Sequence, residues 1–210
     1  MNNKWNQIIY KAWSPFYDRF FNKGMFLKAR KEVFKDIEFI NGEKVLFVGC
    51  GTGADLVYVP YNNIKITAID YSSDMLDKAK EKFPHINITF LQMDAQNLTF
   101  PDETYDIVIA SLLLSVVPNP QKCMEEMIRV VKPKGRIIIF DKFIPKNEEL
   151  SPIKKAVRPL ISMLGTDIGI NFEKLSEPFV KQLSIQTDIP IMLNGMYRKI
   201  ISMKIPDARE

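Results

Sequence analysis

Apolar positions recur along this chain with two different periods, and the changes of period mark its elements. Before residue 41 the spacing is helical. Trp5, Ile8, Ile9, Ala12, Trp13, Phe16, Tyr17, Phe20 and Phe21 fall on one helix face. Ser14-Pro15 punctuates that run as an N-cap followed by a first-turn proline, and Gly24 ends it. A second helical run, through Leu27, Val33, Phe34, Ile37 and Ile40, spans 26–40 and stops at Asn41-Gly42. From Glu43 short apolar runs alternate with helical stretches. The runs 44–48, 64–70, 86–93, 105–111 and 136–141 read as strands one to five. Helices are predicted after the glycines of 49–53, over 72–83 with Ser72 as cap, and over 120–131 with Cys123, Met124, Met127, Ile128 and Val131 inward. Pro133-Lys134-Gly135 turns the chain into strand five. Such alternation predicts a parallel sheet covered on both faces.

The alternation breaks at 142–176, which holds a basic helical stretch, 152–164, and a glycine-containing loop. Two further strand-like runs, 184–193 and 197–205, flank Asn194-Gly195, a hairpin signal, so an antiparallel hairpin is expected at one sheet edge. The chain reads as one domain over 1–210. It divides into N-terminal helices forming a lid (1–41), a nucleoside-binding core (42–141), a basic helical cap (142–176) and the hairpin (177–210).

Composition narrows the functions. At 210 residues and 26% charged, the chain is ordinary for a globular domain and needs no disulfide or metal staple. Cys50 and Cys123 stand in no ligand-spaced cluster, so a reducing cytosol is expected and no metal site. The apolar run 107–117 is shorter than the roughly 20 residues a membrane span takes, and 1–13 lacks the compact stretch of a signal peptide. A net charge of +4 suits an acidic partner surface. Without a basic stripe interleaved with aromatics, nucleic acid is not an expected partner. The one histidine, His85, reads as a surface loop residue.

The chemistry sits after the strands. Gly49-Cys50-Gly51-Thr52-Gly53 follows strand one and lets backbone approach a ligand. With Ala54 it also satisfies the dinucleotide pattern G-x-G-x-x-[G/A], so that cofactor class stays open. Asp70 ends strand two, where an acid holds ribose hydroxyls; the bland alternative is a tight turn with Asp70 capping the next helix. Asp94, after strand three, stands where it can accept from an adenine amino group. A site with these acids and no need of phosphate-binding cations suits a sulfonium cofactor better than a pyrophosphate. Cys50 reads as a packing residue.

The segments Val45–Gly53, Ala68–Leu76, Met93–Ala95, Phe100–Asp106 and Glu126–Gly135 stand in the order of the class I S-adenosylmethionine-dependent methyltransferases, which the chain resembles from about Trp13 to Phe140. The resemblance implies a Rossmann-like, doubly wound α/β sheet of seven strands with the last antiparallel and inserted near the edge. It implies that S-adenosyl-L-methionine is bound by Gly49, Cys50, Gly51 and Gly53, by Asp70, Tyr71 and Met75, and by Asp94 and Ala95. Ser111 would face the methyl-transfer cavity. One departure stands out: Phe47 occupies the place where the family usually has an acid that helps order the cofactor's amino-acid end.

Within the class, Ile9–Asp18, Ser115–Pro120 and Ile153–Leu160 are similar to bacterial phosphatidylethanolamine N-methyltransferases, and in part to quinone-biosynthesis methyltransferases. That likeness implies a lipid-amine acceptor at the inner membrane face, with a soluble metabolite or quinone precursor as the alternative. The aromatic N-terminal helix suits an anionic lipid interface or, equally, a cover for the cofactor cleft. Lys154, Lys155 and Arg158 are the candidates for a lipid phosphate, against the plainer reading of a solvated helix face. Tyr17 and Asp141 are the candidate acid–base groups; Tyr17 reads equally as a packed lid residue and Asp141 as a structural cap. A dinucleotide oxidoreductase and a non-catalytic membrane adapter are the readings from other classes. Oligomeric state is not legible.

Overall fold

The computed structural model describes residues 23–206 except 147, 149, 151 and 164, and the side chains of that span except those of 152–154, 162 and 163. The predicted N-terminal helix and Tyr17 lie outside the described residues. Helix α1 (Gly24–Phe34) precedes β1 (Lys44–Val48), β2 (Lys65–Asp70), α2 (Ser73–Lys82), β3 (Ile88–Gln92), β4 (Tyr105–Ser111), α3 (Pro120–Val130) and β5 (Val131–Lys142). Then come α4 (Pro152–Met163), α5 (Phe172–Ser176), β6 (Leu183–Met192) and β7 (Tyr197–Lys204). The seven strands form one sheet in the order β3-β2-β1-β4-β5-β7-β6. β1 to β5 run parallel; β7 runs antiparallel to both β5 and β6. The expected seven-stranded sheet with its inserted antiparallel strand is therefore present, and the hairpin turns at Asn194-Gly195.

The sheet is apolar on both faces because helices cover both. Leu46, Val48, Val108, Ala110, Ile137 and Ile139 pack with Met124, Met127 and Ile128 of α3. Val45, Phe47, Ile107, Ile109, Ile138 and Phe140 pack with Ala29, Val33 and Phe34 of α1. Period-two alternation within near-continuous apolar strands gives each layer its own set. Caps fix the helix starts: the Ser72 hydroxyl accepts from the Met75 amide at 3.3 Å, and Asn119 accepts from the Lys122 amide at 3.0 Å ahead of Pro120.

Several boundaries differ from expectation. The helix expected over 26–40 starts at Gly24, whose φ is +57°, and ends at Phe34. The chain beyond is spent on turns: the Ile37 amide donates to Phe34, and the Ile40 amide to the Glu43 carboxylate. The helix expected after the glycines is only a 3-10 turn, Leu56–Tyr58. Val57 and Val59 disfavour the α conformation and Pro60 denies it to its predecessor. Val131 already pairs with Tyr105, so β5 starts earlier than expected, and Pro133-Lys134-Gly135 is an irregularity inside it. The short helix α5 carries no strong sequence signal; Asn171 caps it.

Candidate active site

The order of strands reverses between β1 and β4, so the two diverging connections leave a crevice at their carboxyl ends. The glycine loop enters it straight from Val48. Gly49, Gly51 and Gly53 all have positive φ. They differ in what surrounds them. A methyl on Gly53 would meet the Phe83 ring at 2.8 Å, whereas one on Gly51 would meet nothing within 4 Å. Gly53 is therefore required by packing. Gly51 turns bare backbone toward open space, as a loop that cradles a ligand must.

Asp70 stands beside it at the end of β2. One carboxylate oxygen accepts from the Gly51 amide and the other from the Ser72 amide, each at 2.8 Å. Each oxygen keeps a lone pair for a vicinal diol. Burial pushes the Asp70 carboxyl up, against the pull of those amides. Tyr71 is half-buried, and its carbonyl accepts from the Gln92 side chain. Met75 and Ala95 are buried and apolar, while Asp94 is half-buried and accepts from the amide and the side chain of Gln96. Burial and Asp70 hold the Cys50 thiol protonated, so it is no nucleophile. At the end of β4 the Ser111 hydroxyl is buried without a hydrogen-bond partner among the described residues. The next residue, Leu112, is held at φ +55°, a strained backbone of the kind that clusters at functional sites. The structure thus brings Gly49, Cys50, Gly51, Asp70, Tyr71, Asp94 and Ser111 to one end of the sheet. An acid for the diol, apolar walls and an orphaned hydroxyl fit an adenosine bearing a sulfonium.

Phe47 lies elsewhere. Its ring is 2% exposed in the layer beneath α1 with Val33, Phe34 and Phe140. The side chains clustered with it are mainly apolar, while Arg30 of α1, paired with Asp55, and Lys199 of β7 are buried charges of the same region.

Asp141 is fully buried at the end of β5. It accepts from the Ser115 amide at 3.1 Å and from the Lys142 amide at 2.7 Å. These contacts are those of a cap on the loop after β4. Burial raises its carboxyl, so between the ordinary value and the raised one the folded protein holds a proton that the unfolded chain has released. Stability due to this group therefore falls as pH rises through that window. Relative to Asp141→Asn, the wild type is expected to lose unfolding free energy from about pH 4 upward until the raised value is passed. Urea denaturation of both proteins across pH checks this; parallel curves would contradict the buried-charge account.

The basic cap residues separate. Lys154 lies in α4, and Lys155 is exposed on it. Arg158 donates through Nε and an amino nitrogen to the two carboxylate oxygens of Asp167, each at 2.8 Å. Sequence reasoning missed this pairing and the role of Ser115. Its carbonyl accepts from the Asp167 amide at 2.6 Å and from the Thr166 hydroxyl at 3.3 Å. Only the return of the chain after α4 brings these together, so no local pattern announces them.

A family model described as a methyltransferase domain matches residues 46–139, the span from β1 to β5. A phosphatidylethanolamine N-methyltransferase of Cereibacter sphaeroides is 32% identical over 192 residues, 90% of this chain and 92% of that protein. A demethylmenaquinone methyltransferase of Staphylococcus haemolyticus is 35% identical over 150 residues, 67% of this chain and 62% of that one. The solved S-adenosylmethionine-dependent methyltransferase of Aquifex aeolicus superposes with a TM-score of 0.63 over 96% of this chain and 98% of its own; at 21% identity it speaks for the fold. Glycine loop, the acid at the end of β2, strand order and a relative matched almost end to end converge: this chain belongs to the S-adenosylmethionine-dependent methyltransferases.

Proposed function

We propose that this enzyme N-methylates the head-group amine of phosphatidylethanolamine, working from the cytoplasm at the inner, anionic membrane face. The observation that carries the reading is the near full-length match to a relative named for that activity. The match to demethylmenaquinone methyltransferases covers less of either chain. Helix α4 adds support: it has no acidic residue and exposes Lys155, Val157 and Leu160, a composition that suits an anionic lipid surface.

When bound, S-adenosylmethionine supplies a methyl already activated on sulfonium sulfur. The chain's part is then placement and exclusion of water. Gly51 and Asp70 hold the nucleoside end. Ser111, whose hydroxyl lacks a partner among the described residues, offers a hydrogen bond at the acceptor end of the crevice. No side-chain nucleophile is required, and the acceptor amine attacks as its free base.

The test is incubation of purified protein with methyl-labelled cofactor and vesicles of phosphatidylethanolamine and phosphatidylglycerol. Mono-, di- or trimethylated head groups are expected in the lipid extract. Label transferred to demethylmenaquinone and none to phosphatidylethanolamine would replace this reading with the quinone one.

A further inference from the structure

The segment after β5 leaves the sheet and returns to its own root. The Ile144 amide donates to the Ile170 carbonyl at 2.8 Å and closes its neck. Helix α4 lies in the excursion between. Arg158 grips Asp167 with both edges of its fork, and its guanidinium lies directly on Gly169. A methyl on Gly169 would overlap Nε and Cζ of Arg158, although the backbone of Gly169 is not in the left-handed region. Asp167 also accepts from the Gly169 amide at 2.8 Å, so the carboxylate is fixed from two sides. Its own amide and the Thr166 hydroxyl both end on the Ser115 carbonyl, in the loop that follows Ser111 and Leu112. The other side of the Ser115 peptide is held by Asp141. Lys142 reaches Thr166 from the end of β5.

From this chain of contacts we infer that Arg158, Asp167 and Gly169 form a latch that fixes α4 against the loop after β4, and that the latch positions the methyl acceptor. Arg158 is then a positioning residue acting through Asp167 and Ser115, and not the ligand of an acceptor phosphate. A phosphate would have to displace a bidentate carboxylate already in place. The cofactor end of the crevice, at Gly51 and Asp70, shares none of these contacts, so the latch governs acceptor and not cofactor.

This inference rests on the methyl-acceptor role of the crevice, not on which acceptor is used, so KM is measured with whichever acceptor the full-length enzyme methylates. Arg158→Gln, Asp167→Asn and Gly169→Ala are each expected to raise acceptor KM by about tenfold, with kcat changed less than about threefold. Affinity for S-adenosylhomocysteine should stay at the wild-type value in all three. The reversed pair, Arg158→Asp with Asp167→Arg, should recover part of the loss. Amide hydrogen exchange over 155–161 should quicken in the three single variants, a readout that needs no acceptor. If Arg158→Gln alone raises KM while Asp167→Asn leaves it unchanged or lowers it, Arg158 touches the acceptor and the latch is refuted. Unchanged exchange over 155–161 would equally refute it. Failure of every lipid to accept label would instead count against the phosphatidylethanolamine reading and leave the exchange result standing.

Discussion

Asp70→Ala is expected to weaken S-adenosylmethionine binding by about a hundredfold. A carboxylate bonded to two ribose hydroxyls makes two charge-assisted hydrogen bonds, each worth about 1.5–3 kcal/mol. Losing the smaller value twice is about 3 kcal/mol, or roughly two decades in Kd. The fold should survive. Asp70 is half-buried, so water can reach the Gly51 and Ser72 amides that its carboxylate now satisfies. Calorimetry with both S-adenosylmethionine and S-adenosylhomocysteine separates two causes. An equal loss for both identifies the hydroxyl bonds; a loss confined to the charged cofactor identifies coulombic attraction to the sulfonium. Binding unchanged for both would remove Asp70 from the site.

Arg198→Ala is expected to cost about 3–5 kcal/mol of folding stability, the largest loss expected of a single substitution here. Arg198 of β7 is 2% exposed and carries a full charge into the core. It donates to both oxygens of Asp188, at 2.9 and 2.5 Å, and to Glu173 at 2.7 Å. Its guanidinium carbon stands 5.7 Å from the centre of the Phe143 ring and 5.5 Å from that of Phe172. One side chain thus ties together β6, β7, α5 and the strand-to-cap passage. Truncation leaves Asp188 nearly buried, with Lys146 as its remaining cation at 2.8 Å. Arg198→Lys should recover little, since an ammonium cannot span two oxygens and stack between two rings at once. Urea denaturation measures the loss. If Arg198→Ala unfolds within 1 kcal/mol of wild type, as expected only of a weak exposed pair, this network is not what holds α5 to the sheet.

The cap behaves differently, because its ion pair is partly open to solvent. The Arg158 side chain keeps 44% of its exposure beside Asp167, so the pair lends α4 a place without adding much to global stability. Asp167 and Asp188, with Arg158 and Arg198 beside them, are held below the usual carboxylate range. Their contribution is complete above the unfolded carboxylate value and is lost as pH falls through their lowered ones. Acid should therefore loosen both clips, opposite in sign to the effect of Asp141.

The sheet was legible in the residues because its information is local. Buried parallel strands read as short apolar runs, helices as three-and-four spacing, and Ser72 and Asn119 as caps. The glycine loop and Asp70 were legible for the same reason: positive φ demands glycine, and the acid ends an apolar strand run. Chain ends of helices were less so, since Phe34 and the turn at Leu56 were decided by competing hydrogen bonds and by Pro60. The acceptor side was hardly legible at all. Arg158 looked like a free cation on a basic helix face, because nothing within a few residues of it shows that Asp167 will fold back onto it.

The sequence by itself therefore determined the α/β sheet, its inserted hairpin and the placing of the glycine loop and Asp70 at the strand ends, where each feature depends on neighbours a few residues away. The tertiary structure alone decided that Phe47 packs under α1, that Asp141 caps Ser115, and that Arg158 is spent on Asp167 over Gly169. Those outcomes depend on which distant segments meet, and burial and charge pairing select that meeting only once the chain has closed on itself.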